Sequence, residues 1–193
     1  VMPYISSMYQ INIMISALIY IMLGLGLNIV VGLAGQLVLG YAAFYAVGAY
    51  TYGLLNTYFG LGFWAVLPVG GIMAALFGLM LGFPVLRLKG DYLAIVTLAC
   101  GEIIKNIITN LDFTGGALGL NTNPIYSNAK KLLPYAVILV LLTVLVMMNL
   151  KRSKQGRAIM AIRDNRIAAE SVGIDVTRYK LMVFMLAAFF AGA

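Results

Sequence analysis

Long apolar runs separated by short polar links make up most of the chain. They lie at about residues 11–31, 39–58, 63–83, 91–110 and 132–150, and a sixth run begins near Tyr179. A helix that spans a bilayer needs roughly 20 predominantly apolar residues. The pattern therefore predicts an all-α fold, a polytopic membrane helix bundle of about six spans. Because the chain begins at Val1 and its last run is short, we expect residues 1–193 to be a single transmembrane domain truncated at both ends.

Charged side chains are concentrated in one segment. Residues 151–180 hold 11 of the 19 charged residues, eight Lys or Arg against three Asp or Glu. Basic residues are enriched in the cytoplasmic loops of membrane proteins. The segment therefore predicts a cytoplasmic loop at about residues 151–178 and places the polar link at 112–128 on the opposite side of the membrane.

Composition narrows the class of protein further. The chain is 63% hydrophobic and 10% charged, with a mean hydropathy of +0.99, whereas a soluble domain carries roughly 25% charged residues. The net charge of +7 follows from the cytoplasmic excess of basic residues, and nucleic-acid binding is not expected. With no His and one Cys, Cys100, the chain excludes Cys/His zinc sites and His-based catalytic triads. We predict no metal site and no catalytic residue.

The basic loop has a helical pattern. Residues 155–172 predict one or two short helices, Gly173 is a natural helix stop, and Asp175 or Thr177 can cap the helix that follows. The Arg residues of this segment suit either of two roles, which are contact with anionic lipid and docking of a soluble partner.

Span four contains ionisable residues. Glu102 and Lys105 are three apart, so they share a helical face and can pair, and Asn106 and Thr109 continue that face. Ionisable groups inside a membrane usually face the bundle interior or a watery path. We therefore expect a pathway or gating face that points into the bundle. The alternative is a shorter span four, in which these residues reach the membrane interface.

Asn28 and Gln36 flank a glycine-rich, uncharged link at residues 32–40. Interrupted helices with free backbone groups often mark substrate sites in transporters. A plain glycine-rich turn between spans is the favoured interpretation.

Small residues also recur at helical spacing, and they predict close helix packing in lipid. They are Gly70, Ala74, Gly78 and Gly82 in span three, and the pairs Ala42 with Ala46 and Ala49 with Gly53 in span two.

Four stretches of the chain resemble one family. They are GLNIVVGLAGQLVLGYAAFYAVGAYT (26–51), LRLKGDYLAIVTLACGEIIKNIITN (86–110), FTGGALGL (113–120) and GRAIMAIRDNRIAAESVGIDVTRYKLMVF (156–184). Together they resemble the membrane permease subunits, of the LivM type, of bacterial branched-chain amino acid ABC importers. The stretches cover well over half the chain in the expected order.

The resemblance implies that the cytoplasmic loop carries a coupling helix that docks into the ATP-binding subunit. The usual importer pattern is Glu-Ala-Ala, three residues, then Gly. Ala168, Ala169 and Gly173 match that spacing, while Ile167 stands at the Glu position and Glu170 follows the alanine pair. We expect the small residues, together with Arg163 and Glu170, to form the coupling site, with the small residues permitting close docking.

The resemblance also implies a multi-subunit complex in the bacterial inner membrane. Its other parts are a second permease subunit, two ATP-binding subunits that hold ATP and Mg²⁺, and an extracytoplasmic substrate-binding protein. The chain itself has no GxxxxGK[ST] nucleotide motif, so ATP hydrolysis is expected in a partner, and this chain is not expected to be an enzyme or to hold a cofactor. Related permeases move urea or short amides, which leaves the substrate open. Alternatives from other classes are an ion-coupled secondary transporter that uses Glu102 and Lys105, and a membrane scaffold.

Overall fold

A computed structural model describes residues 8–60, 62–85, 88, 91–111, 114, 116, 119 and 129–193. The helices are α1 Met8–Asn28, which continues as a π-helical turn Ile29–Leu33, α2 Ala42–Phe59, α3 Phe63–Val85, α4 Asp91–Asn110, α5 Ala129–Arg152, α6 Lys154–Asp164, α7 Arg166–Ser171 and α8 Val176–Gly192. The described residues contain no strand, which confirms the all-α prediction. A helix satisfies its backbone polar groups internally, as a lipid environment requires.

Four of the six predicted spans are long and apolar enough to cross a membrane. They are Tyr9–Leu33, Phe63–Pro84, Asp91–Asn110 and Leu132–Arg152. The other two, α2 and α8, are shorter, with 18 and 17 residues. Helix α8 packs against α1, α2 and α3 and carries much of the buried core, including Val183, Phe184 and Ala188. The polytopic bundle is therefore confirmed, and α8 lies at its centre.

Small residues let α8 approach two neighbours closely. A methyl group added at Gly78 of α3 would lie 2.7 Å from Ala188 Cβ, and one added at Gly192 would overlap Ala74 of α3. A methyl group at Gly48 of α2 would overlap the backbone of Gly192. The small-residue stripe predicted on α3 therefore packs as expected.

The pairs predicted on α2 do not all pack in this way. Ala42 and Ala49 are exposed, and Gly48, which was not in either pair, makes the close approach to α8. Spacing in the sequence identifies a face of small residues without showing which face meets the neighbouring helix.

Contacts between helices show which of them run in the same direction. Ile11 of α1 packs near Leu133 of α5, so these helices start together and run parallel. Phe44 near the start of α2 stacks edge to face with Phe184 in the middle of α8, with ring centroids 5.4 Å apart. Gly48, one turn further along α2, meets Gly192 at the end of α8, so α2 and α8 run parallel. The bundle end at which α1 and α5 finish, and where α6 and α7 lie, is called the loop end below. The link at 112–128 lies largely outside the described residues, so its predicted side stays a prediction.

The link between α1 and α2 is fastened to three parts of the bundle. The Gln36 backbone N–H donates to Val30 O at 3.1 Å, and the Tyr41 hydroxyl donates to Ala187 O of α8 at 2.8 Å. The Leu39 N–H donates to Thr97 Oγ1 of α4 at 3.2 Å. The bonds from Gln36 and Leu39 satisfy backbone N–H groups that the glycine-rich link leaves outside regular helix.

Candidate functional site

The loop segment, residues 153–175, is a folded unit with a side-chain cap at each helix start. Ser153 Oγ accepts from Gly156 N at 3.0 Å, Asn165 Oδ1 accepts from Ala168 N at 3.1 Å, and Asp175 Oδ1 accepts from Arg178 N at 3.1 Å. Caps of this kind satisfy the orphan N–H groups of a helix start. Of the one or two short helices predicted, the structure has two, and of the two predicted caps, Asp175 is the one used.

The loop segment has its own small apolar core. Ile162, Ala169 and Val176 are buried against one another. Ile159 of α6 is fully buried in the main cluster of the bundle. The loop segment is therefore anchored to the helices that cross the membrane, so a force applied to α7 reaches them through packed side chains.

Gly173 ends α7 through its backbone conformation. Its φ is +86°, a value that side chains with a Cβ rarely adopt, and its N–H donates to Glu170 O at 3.0 Å. A methyl group there would meet nothing within 4 Å. Gly173 is therefore needed for the backbone conformation of the turn. No neighbouring atom lies close enough to require its small size.

The side chain of Ala169 is buried against Ile162 and Val176, so it supplies no outer surface of α7, and its place in the coupling site stays a prediction. Ala168 is exposed, and its N–H is used by the Asn165 cap. Of the two alanines, Ala169 therefore packs beneath α7 and Ala168 lies on its exposed surface.

The outer surface of α7 is apolar at its two ends. Ile167 is 80% exposed and Val172 is 79% exposed, the highest fractions among the large hydrophobic side chains that the structure describes. Between them, Arg166 Nε pairs with Glu170 Oε1 at 2.8 Å. Sequence reasoning missed both apolar residues, although Ile167 was noted where the importer pattern has Glu. We call Ile167, Val172 and the Arg166–Glu170 pair the α7 face.

Arg163 joins the loop segment to the π-helical turn. Its Nη1 donates to Gly32 O at 2.7 Å, and its Nε and Nη2 donate to Asp164 Oδ1, each at 3.2 Å. The stem of Arg163 lies over Gly35, where a methyl group would be 2.6 Å from Arg163 Cγ. Arg163 therefore points towards the bundle and connects α6 to the end of α1.

Asn28 and Gln36 lie in different surroundings. Asn28 is exposed beside Gly32, whereas Gln36 is only 2% exposed. Its side-chain Oε1 and Nε2 make no hydrogen bond with any described residue. The structure therefore does not bring these two residues together as one site.

Glu102 and Lys105 form the predicted pair, with Lys105 Nζ 3.4 Å from Glu102 Oε2. The prediction that this face points into the bundle is wrong, because both side chains are more than half exposed and Asn106 is exposed beside them. The opposite face of α4, with Leu93, Thr97 and Ile104, takes the buried position.

A groove runs between α2 and α4 beside this pair. Glu102, Lys105 and Leu98 line one wall, and the small residues Ala42 and Ala46 line the other. The groove has a volume of about 260 Å³. Charged and small side chains therefore share one outward face of the bundle, which we call the α2–α4 face.

Comparisons of the sequence with a family model and with known proteins agree with one another. The family model described as "Branched-chain amino acid transport system / permease component" matches residues 9–193. The "High-affinity branched-chain amino acid transport system permease protein LivM" of Escherichia coli (strain K12) is 44% identical in an alignment 221 residues long, gaps included. The alignment covers 98% of this chain and 52% of that protein. The protein of the same name from Salmonella typhimurium shows the same identity and coverage.

A more distant relative extends the comparison to an archaeon. The "Probable branched-chain amino acid transport permease protein LivM" of Methanocaldococcus jannaschii is 29% identical over 127 residues, which cover 60% of this chain and 37% of that protein. The chain spans about half the length of the bacterial relatives. No solved structure matches the chain significantly.

Proposed function

Because the chain belongs to the branched-chain amino acid transport permease family, we propose that the whole protein is a permease subunit of an ABC importer for branched-chain amino acids. It acts in the bacterial inner membrane with a second permease subunit, two ATP-binding subunits that hold ATP and Mg²⁺, and an extracytoplasmic binding protein. In this proposal the loop end is cytoplasmic, in keeping with its basic residues.

The α7 face is the observation that carries the coupling part of the proposal. Two apolar side chains, each about four-fifths exposed, lie at the ends of a short helix capped by Asn165. They are unfavourable in water and suit an apolar groove in a partner. The Arg166–Glu170 pair between them supplies polar contacts at the rim. We infer that the α7 face docks on an ATP-binding subunit.

Two contacts supply a route from that docking site to the membrane helices. Ile159 fixes α6 in the main core, and Arg163 Nη1 holds Gly32 O at the end of α1. A shift of α7 therefore moves the π-helical turn, because packed cores transmit displacement rather than absorb it.

The α2–α4 face supports a translocation path shared with the second permease. Ionisable side chains inside a membrane avoid lipid and face protein or water. Small residues such as Ala42 and Ala46 allow a neighbouring helix to approach closely. An outward face that combines both features fits a contact between two permease subunits with a watery path along Glu102 and Lys105.

The Glu102–Lys105 pair provides a test of that path. We expect Glu102→Ala and Lys105→Ala each to lower uptake by about tenfold or more with little change in inserted protein, because the pair is exposed and adds little to folding. The double variant should lose less than the product of the two single effects, since the side chains touch. Uptake and expression are measured for both singles and the double.

Ile103→Ala is the matched control, because Ile103 is exposed on the same helix but does not line the groove. Normal uptake in both single variants would exclude a path along this pair. If the variants lowered the amount of inserted protein, and uptake per inserted protein stayed normal, the pair would have a structural role instead.

The proposed function as a whole is tested by reconstituting the full-length protein with its ATP-binding and binding-protein partners in liposomes. We expect uptake of leucine, isoleucine and valine that requires ATP and is unaffected by a proton ionophore. Uptake of urea or short amides in their place would establish the alternative substrate class. Uptake that is abolished by the ionophore and indifferent to ATP would establish the ion-coupled carrier, and it would overturn the proposal.

A further inference from the structure

A second cleft lies at the loop end, away from the α2–α4 face. It has a volume of about 490 Å³ and opens between α1, α5 and α6. Leu25, Val144, Met147 and Met148 form apolar walls, and Lys151 and Arg163 lie at its polar end. The cleft is therefore apolar along the membrane helices and cationic where those helices finish.

The position of the cations corresponds to a membrane boundary. The apolar stretches of α1 and α5 run to Leu33 and Arg152, so Lys151 and the Arg163–Gly32 contact lie at the last turn of both. Lys and Arg at such positions lie at the depth of lipid headgroups, whereas Met148 and Val144 lie deeper, beside acyl chains.

The charge at the mouth of the cleft is only partly neutralised. Arg163 shares its guanidinium between Gly32 O and the Asp164 carboxylate. The other two carboxylates of the loop segment pair with Arg166 or cap α8. In the part of the chain that the structure describes, no carboxylate forms an ion pair with Lys151. The cleft therefore presents the ammonium group of Lys151 without an ion-pair partner, and the guanidinium of Arg163, which has further N–H groups to donate.

We propose that this cleft binds one anionic phospholipid, with its phosphate between Lys151 and Arg163 and an acyl chain against Val144 and Met148. The apolar walls favour a lipid over a soluble anion, since a free phosphate would leave them open to water. The bound headgroup would join the end of α5 to α6 and hold Arg163 against the π-helical turn. This site goes beyond the proposed transport function and depends only on insertion in a membrane.

The test uses the full-length protein purified in mild detergent and exposed to phosphatidylglycerol or phosphatidylcholine, with bound lipid counted by native mass spectrometry. We expect retention of one phosphatidylglycerol and no comparable retention of phosphatidylcholine. Lys151→Gln should lower that retention by about fivefold or more, because it removes the free cation. Lys154→Gln is the matched control, since Lys154 is exposed on α6 and does not line the cleft. It should retain the lipid as the unmodified protein does.

A second variant tests the apolar part of the site. Met148→Trp fills the cleft from an exposed position, so the fold tolerates it, and it should also lower phosphatidylglycerol retention.

Equal losses from Lys151→Gln and Lys154→Gln would mean that retention depends on total charge alone, and this result would overturn the proposed site. Displacement by millimolar inorganic phosphate would identify a soluble-anion site instead. Crosslinking from Met148→Cys to protein rather than lipid would show that another segment covers the cleft. ATP-driven uptake is not a readout here, so failure of this proposal leaves the transport proposal intact.

Discussion

Changing Ile167 and Val172 together to Asp is expected to abolish ATP-driven uptake and to release the ATP-binding subunit. Both side chains are about four-fifths exposed on the α7 face and bury apolar area only when a partner covers them. Burial of one such side chain stabilises by about 1.5–3 kcal/mol, and two of them correspond to a loss of roughly 100-fold or more in affinity. A carboxylate in an apolar groove adds an unpaired buried charge to this loss.

Co-purification of the ATP-binding subunit with the full-length protein is the measurement, together with uptake in liposomes. Thr177→Asp is the control for added negative charge, because it puts one carboxylate on an exposed position near the loop segment, in the first turn of α8, where a carboxylate is tolerated. Ile167→Leu should keep full coupling, since it preserves the apolar contact. If the double Asp variant retained its partner and its uptake, the α7 face would not be the docking element.

The second large effect is expected from Gly48→Val in α2. A Cβ at Gly48 overlaps the backbone of Gly192 in α8, and backbone atoms cannot rotate away as a side chain does. The helices must separate, which also weakens the ring contact between Phe44 and Phe184. Overpacking of this kind costs about 1–3 kcal/mol or more, which lowers the thermal midpoint in detergent by roughly 6–12 °C at the upper end of that range.

Gly24→Val is the matched control, because it makes the same substitution in a membrane helix where an added Cβ meets nothing within 4 Å. Its thermal midpoint should stay within a few degrees of the unmodified protein. Similar melting of the two variants would mean that the α2–α8 approach does not limit stability. A large loss from Gly24→Val would point to a general intolerance of β-branched residues at these glycines.

Local features of the sequence predicted much of the structure. Span positions follow from hydropathy, because a helix of fixed rise must cover a fixed thickness of lipid. The cap at Asp175 and the stop at Gly173 follow from side-chain and backbone chemistry within a few residues. The α3 stripe of Ala74 and Gly78 was also predictable, because a long run at one spacing defines a face.

The wrong predictions share a different cause. Glu102 and Lys105 were expected to face inward, because lipid excludes charge, yet the buried face of α4 is the one with Leu93 and Ile104. The argument from lipid holds only when every neighbour of a helix is known, and here a second subunit is one of the proposed neighbours. The importer pattern likewise could not show that contact with Ile162 and Val176 buries Ala169.

The sequence by itself determined the approximate positions of the apolar helices, the basic loop and its capped helices, since each of these depends on residues close together in the chain. Tertiary structure alone decided that α8 is the central helix, that Arg163 bonds to Gly32 across 131 residues, and that Ile167 and Val172 stand outside while Ala169 lies beneath. These outcomes depend on which helix faces meet, and that choice minimises exposed area and overlap over the whole bundle at once. Periodicity along one helix can mark a packing face, as it does on α3, but it does not show which helix that face meets.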